Sequence, residues 1–150
     1  GIDMSAPMLE KARAKMASGK YPFVKAVHQM DAHQMTFEDA TFDCVVAQFV
    51  ITLVANPEQV LSECHRVVKP GGRIILVNHL YSEVGVAAAV ERWAAKKIRA
   101  LGLRPEFPFG RLQAWAQSNA GTTLVEQRKV APFGIYTLVC FERTAGSQAA

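Results

Sequence analysis

Three features are missing from this sequence, and each absence removes a class of function: metal-ligand spacing, a nucleophilic triad, and any run long enough to span a bilayer. The three cysteines, Cys44, Cys64 and Cys140, are odd in number and far apart, with no Cys-x-x-Cys pair. Neither a disulfide framework nor a zinc site is expected from them. Each lies in an apolar stretch, the usual setting of a buried, reduced thiol. No Ser, His and Asp arrangement points to acyl transfer. The longest apolar run, residues 45–55, is broken by Gln48 and Thr52 and falls short of the ~18–20 residues a membrane-spanning helix needs. No secretory leader is visible, so a cytoplasmic protein is expected. No initiator methionine opens the chain either. Gly1-Ile2-Asp3 reads as the end of a strand, and the sequence is expected to be part of a longer protein.

What is present suits a globular domain. Half of the 150 residues are hydrophobic and 20% are charged, enough apolar surface for a sizeable core. The formal net charge of +4 suits anionic partners such as phospholipid or nucleic acid without requiring them. Ser5 can cap a helix over residues 6–17, with Pro7 in the first turn and Met8, Leu9, Ala12 and Met16 at helical spacing. Residues 23–30 and 42–50 read as strands, the second hydrophobic nearly throughout, as in parallel sheets buried on both faces. Asn56-Pro57-Glu58 starts a second helix with Val60, Leu61, Cys64, Val67 and Val68 on one face. Pro70-Gly71-Gly72 ends it, and residues 73–78 form another buried strand.

A long helix is expected over residues 83–101, with Ala87, Val90, Ala94, Ile98 and Leu101 on one side and cations on the other. A shorter one follows over 110–118. Two extended runs, 122–130 and 135–143, joined by residues 131–134, read as a terminal hairpin. The expected fold is α/β: a Rossmann-like, doubly wound, mostly parallel sheet closed by an antiparallel C-terminal hairpin. Residues 1–143 are expected to be one partial domain, and 144–150 a disordered tail.

Four blocks in order then suggest a family: Gly1-Ile2-Asp3-Met4-Ser5, Met30-Asp31-Ala32, Phe42-Asp43 with its strand, and Lys69-Pro70-Gly71-Gly72. Together they resemble the class I methyltransferases that use S-adenosylmethionine. The resemblance implies that Asp3 binds the ribose hydroxyls, since a strand-end carboxylate can accept from two vicinal hydroxyls at once. Asp31 would accept from the adenine amino group, while the backbone at Ala32 or His33 donates to a ring nitrogen. Met4 would pack on the adenine face, or else be ordinary core. Gln48 and Phe49 end the next strand at the crevice where open α/β sheets bind ligands, and Phe49 would wall the methyl-donor site or be a core phenylalanine. Lys69 to Gly72 is a turn rather than a site. Asn78, His79 and Tyr81 follow the next strand where an acceptor would lie, and His79 or Tyr81 is a conceivable base for an amine. No metal is required.

The resemblance also implies a central strand and a glycine-rich loop ahead of Gly1. It places that strand between the two that end at Asp3 and Val50, so this polypeptide alone is expected to bind the cofactor very weakly and to be inactive. In its second half, Phe107-Pro108-Phe109 through Trp115, the run from Thr123 to Lys129 and Gly134 to Val139 are similar to the soluble bacterial phosphatidylethanolamine N-methyltransferases. That similarity implies stepwise methylation of a lipid amine by a protein that visits the inner membrane peripherally. Arg92, Lys96 and Arg99 share one helix side and suit an anionic bilayer, or are simply a solvated face. No nucleic acid is expected as partner. The rival expectations are a soluble methyltransferase acting on a quinone or other small molecule, and a non-enzymatic or NAD-binding Rossmann-like domain.

Overall fold

The computed structural model describes residues 1–78, 107–130 and 136–145. The chain divides into two compact units, Gly1–Phe37 and Glu38–Ala150. The helix expected over 83–101, the 131–134 connection and residues 146–150 of the expected tail lie outside the described residues. Thr144 is described and is not frayed: its N–H donates to Gly121 O at 2.8 Å, continuing the ladder beyond the last strand.

In the first unit, β1 (Ile2–Asp3) leads into α1 (Ala6–Ala17) and returns in β2 (His28–Gln29). The two strands pair in parallel, Ile2 with His28 and Asp3 with Gln29. Ser5 does stand at the N-cap with extended backbone, but its side chain makes no capping bond. Instead Asp3 Oδ1 accepts from Ser5 N–H at 2.8 Å. Of the expected apolar stripe on α1 only Leu9 is buried; Met8 stays exposed. That side of the helix borders an open groove of about 530 Å³ whose walls include Ile2, Met8, Leu9, Ala12 and Val27.

The strand expected over 23–30 is much shorter than its composition suggested. Val24 N–H closes a turn onto Tyr21 O, which consumes the start of the run. Phe23 points out, 72% exposed.

The second unit holds a four-stranded sheet in the order β3-β4-β6-β5. Its strands are β3 (Phe42–Gln48), β4 (Val68–Asn78), β5 (Thr122–Val130) and β6 (Tyr136–Arg143), with helices α2 (Pro57–Val67) and α3 (Phe109–Ser118) between them. β3 and β4 run parallel, whereas β6 is antiparallel to both β4 and β5. The mixed α/β architecture with its terminal antiparallel pair is therefore the one expected. The start of α2 also follows the sequence: Asn56 Oδ1 accepts from Gln59 N–H at 3.3 Å, with Pro57 in the first turn.

One face of this sheet is the core. Ile74 and Leu76 on β4 lie beside Phe141 and Val139 on β6, all four fully buried. α2 packs on β4 through Val60, Leu61, Cys64 and Val67, and α3 packs on β5. Trp115 on α3 meets Phe141 edge-on at 5.5 Å, and its indole N–H donates to Ser62 on α2 at 3.1 Å. Arg111 on α3 clasps Glu58 on α2 with two bonds of 2.8 Å.

Two expectations need correction. β3 is not buried on both faces: on one face Cys44 is exposed and Val46 is 58% exposed. Cys44 is therefore not a buried thiol, although Cys64 and Cys140 are. Lys69 to Gly72 is not a plain turn either, because β4 already begins at Val68. Register passes from Phe42–Val68 directly to Cys44–Arg73, so these four residues bulge out of the strand opposite Asp43. Gly71 takes φ +81° there. A Cβ on Gly72 would lie 2.6 Å from Asp43 O and 2.9 Å from Lys69 O. The glycine pair is thus demanded by the bulge, by backbone angle at one position and by space at the next. Lys69 and Asp43 form an exposed ion pair at 2.8 Å across it, which draws the Asp43 carboxyl below its ordinary value.

Candidate functional site

In the first unit, the parallel pairing sets Asp3 and Asp31 at neighbouring strand tips. Asp3 is opposite Gln29, and Met30 N–H donates to Asp3 O at 3.1 Å, so Asp31 lies one side-chain repeat beyond Asp3. Asp31 itself lies past the end of β2, where its carboxylate folds back onto His33. A strand spacing of ~4.8 Å and a rise of ~3.3 Å per residue separate the Cα atoms of Asp3 and Asp31 by roughly 8 Å.

Each carboxylate spends one oxygen locally. Asp3 Oδ1 takes Ser5 N–H. Asp31 Oδ1 takes His33 N–H at 2.9 Å and contacts His33 Nδ1 at 2.7 Å. The second oxygen of each has no hydrogen bond among the described residues. His33 holds Asp31 below its ordinary pKa, first through the backbone N–H and next through the ring. It therefore remains an ionised acceptor throughout the neutral range.

Met4 follows Asp3 and is 64% exposed, so it is not ordinary core. Its carbonyl accepts from Gln29 Nε2 at 3.2 Å. Ala32 is half-buried, inside the turn closed by Gln34 N–H onto Asp31 O.

In the second unit, the carboxyl ends of β3 and β4 meet the start of β6. Gln48 is the last residue of β3 and is exposed. Phe49 follows with φ +55°, a left-handed backbone that costs a side-chain-bearing residue about 1–2 kcal/mol. Its N–H donates to Val77 O at 2.9 Å, and its ring meets Tyr136 edge-on at 5.1 Å. At 45% exposure Phe49 is not core.

Of two further residues at the same end, Asn78 was expected with His79 and Tyr81 at the acceptor edge, whereas Thr137 was not singled out by sequence. Asn78 closes β4 and is paired in register with Thr137 on β6. Both side chains are buried, at 1% and 2% exposure. Four buried side-chain atoms among the described residues find no hydrogen-bond partner: Asn78 Nδ2 and Oδ1, Thr137 Oγ1, and Thr122 Oγ1. Three of the four thus fall on one cross-strand pair. Leaving such groups unmet costs about 1–3 kcal/mol each. The available signal was the two-residue period itself: Ile74, Leu76, Asn78 and Phe141, Val139, Thr137 each run apolar, apolar, polar. Only the register brings the two polar ends together. His79 and Tyr81, expected beyond β4, lie outside the described residues, as do Arg92, Lys96 and Arg99.

Comparison with known proteins decides what this arrangement belongs to. The model of the methyltransferase domain family matches residues 1–76. The phosphatidylethanolamine N-methyltransferase of Cereibacter sphaeroides is 39% identical over 143 residues, 95% of this chain and 68% of that protein. The chain belongs to the S-adenosylmethionine-dependent methyltransferases.

A demethylmenaquinone methyltransferase of Lysinibacillus sphaericus is 38% identical over 84 residues, 56% of this chain and 35% of that protein. Among solved structures, a SAM-dependent methyltransferase of Thermotoga maritima superposes with a TM-score of 0.68 at 18% identity, covering 96% of this chain and 72% of that one. At that identity the likeness establishes the Rossmann-like fold and nothing finer.

Membership of this methyltransferase family makes S-adenosylmethionine the methyl donor. The residues present fit the adenosine end of that molecule. Two acidic side chains at neighbouring strand ends, each with an unengaged oxygen, are chemically suited to a diol and to an exocyclic amine.

Proposed function

We propose that this methyltransferase acts on the amine of phosphatidylethanolamine, on the route to phosphatidylcholine. The supporting observation is the extent of the likeness. Identity with the Cereibacter phosphatidylethanolamine N-methyltransferase is 39% over 95% of the chain, whereas the quinone methyltransferases of Lysinibacillus and Lactiplantibacillus match over 56% and 76% of it, the longer match at 31% identity.

In this reading Asp3 accepts from the two ribose hydroxyls through its exposed carboxylate, and Asp31 Oδ2 accepts from the adenine amino group. His33 N–H is already committed to Asp31 Oδ1, so Ala32 N–H is the donor to the ring nitrogen. Exposed Met4 covers one adenine face. Gln48 and Phe49 wall the methyl end. The bound cofactor supplies an electrophilic methyl on a sulfonium.

The chain's remaining work is to align the acceptor nitrogen in line with that methyl, to exclude water, and to let a proton leave the amine. His79 or Tyr81 takes that proton, directly or through water. Arg92, Lys96 and Arg99 would hold the protein against an anionic bilayer at the cytoplasmic face of the membrane.

The test uses the full-length enzyme with labelled S-adenosylmethionine and vesicles containing phosphatidylethanolamine. Label should appear in mono-, di- and trimethylated lipid. Asp3→Ala and Asp31→Ala should each weaken cofactor binding about tenfold or more, the loss of a hydrogen bond to a charged group. Label entering demethylmenaquinone and not lipid would select the quinone reading instead.

A further inference from the structure

The strongest unexplained feature in the second unit is the polar end of an otherwise apolar sheet face. Ile74 and Leu76 on β4 lie beside Phe141 and Val139 on β6, buried and hydrophobic. The next cross-strand pair, Asn78 with Thr137, is just as deeply buried, yet it offers one amide and one hydroxyl with no partner for either among the described residues. Directly opposed residues on an antiparallel pair hold their Cβ atoms about 4.5–5.5 Å apart, so the two groups stand side by side. An apolar pair would pack there at no such penalty. Orphaned polar groups of this kind call for a role.

We infer that Asn78 and Thr137 form a polar rung that binds the N–H groups of the methyl acceptor's nitrogen and so reads how many methyls that nitrogen already carries. The inference rests on the proposal that the acceptor is a lipid amine and sharpens it. The rung is the last of β4, at the carboxyl edge where α/β sheets bind ligands. The strained Phe49 backbone bonds to Val77, the residue before Asn78, and the Phe49 ring meets Tyr136, the residue before Thr137. The aromatic pair therefore lies at the same strand ends, on the face opposite the Thr137 side chain.

The chemistry suits an amine that must react as a nucleophile. Asn78 Oδ1 and Thr137 Oγ1 are neutral acceptors. They orient N–H bonds without stabilising an ammonium as a carboxylate would, so the nitrogen lone pair stays available. Their burial removes competing water and strengthens each bond. Each transfer replaces one N–H by a methyl, so the rung's hold declines along the series. The first methylation depends on it most.

The experiment compares wild type, Thr137→Val, Asn78→Leu and Thr137→Ser in the full-length enzyme, using vesicles of phosphatidylethanolamine and of its mono- and dimethylated forms. Thr137→Val is nearly isosteric and removes an unmet hydroxyl, so its Tm should equal or exceed wild type. Its kcat/KM on the unmethylated lipid should fall about tenfold, its kcat/KM on the dimethylated lipid less than about threefold. Affinity for S-adenosylhomocysteine should not move. Asn78→Leu should show the same graded loss, and Thr137→Ser should restore the wild-type pattern.

Equal losses on all three lipids, or no loss on any, would overturn the rung. The same holds if Asn78→Leu and Thr137→Val merely unfold the protein while Thr137→Ser behaves as they do. Failure of the wild type itself to methylate any of the three lipids would instead remove the lipid-amine reading, and the rung with it.

Discussion

Replacing Gly72 by alanine should damage this fold far more than its single added methyl suggests. The new Cβ would stand 2.6 Å from Asp43 O, 2.8 Å from a Val68 methyl and 2.9 Å from Lys69 O. The Val68 side chain can shift, but the two carbonyls belong to backbone on either side of the β3–β4 bulge. Relief therefore requires the strands to part where Phe42 and Cys44 find their partners. Overpacking of a tight site costs about 1–3 kcal/mol, and two rigid neighbours put this case near the top of that range. For a domain of this size about 3 kcal/mol corresponds to a fall in Tm of roughly 6–12 °C.

Gly71→Ala is the internal control. Its φ is +81° but nothing lies within 4 Å, so only the left-handed backbone penalty of about 1–2 kcal/mol applies. Thermal unfolding of the three proteins by circular dichroism would check the order. If Gly72→Ala melted within about 2 °C of wild type, or above Gly71→Ala, the reasoning from space would be wrong.

Two further outcomes follow from the geometry. Arg143 Nη1 reaches the carbonyls of His65, Arg66 and Val68 at 3.0, 3.0 and 2.7 Å, capping the end of α2 from the far strand. Arg143→Met should lower stability by about 2–3 kcal/mol in urea titration, and a loss under about 0.5 kcal/mol would show that water replaces the cap.

Asp31 has its pKa depressed by His33, so its contribution to stability is present above the unfolded carboxylate value and lost as pH falls through the lower folded one. His33→Ala keeps the backbone N–H and removes only the ring. The Asp31 carboxyl, followed by NMR, should titrate at a higher pH than in wild type while remaining below an ordinary aspartate. A complete return to the ordinary value would refute the primacy of the backbone bond.

Much of the scaffold was legible because its signals are local. Asn56-Pro57 starts α2 through a cap and a fixed φ that involve no distant residue. The β5–β6 pair is readable from two extended runs at hairpin distance. The residue 23–30 run misled because aromatic and β-branched composition cannot reveal that Tyr21 to Val24 closes a turn. For β3 the apolar run gave no clue that one face, bearing Cys44 and Val46, stays uncovered.

The sequence by itself determined the family and the positions of Asp3 and Asp31, because a strand tip and the turn after it are short-range features written in a few consecutive residues. Tertiary structure alone decided that these two tips are neighbours, since that depends on the pairing of β1 with β2. It alone decided that Gly72 has no room for a side chain, and that Asn78 meets Thr137. Strand register is fixed by pairing between residues far apart in the chain, and no local pattern encodes it.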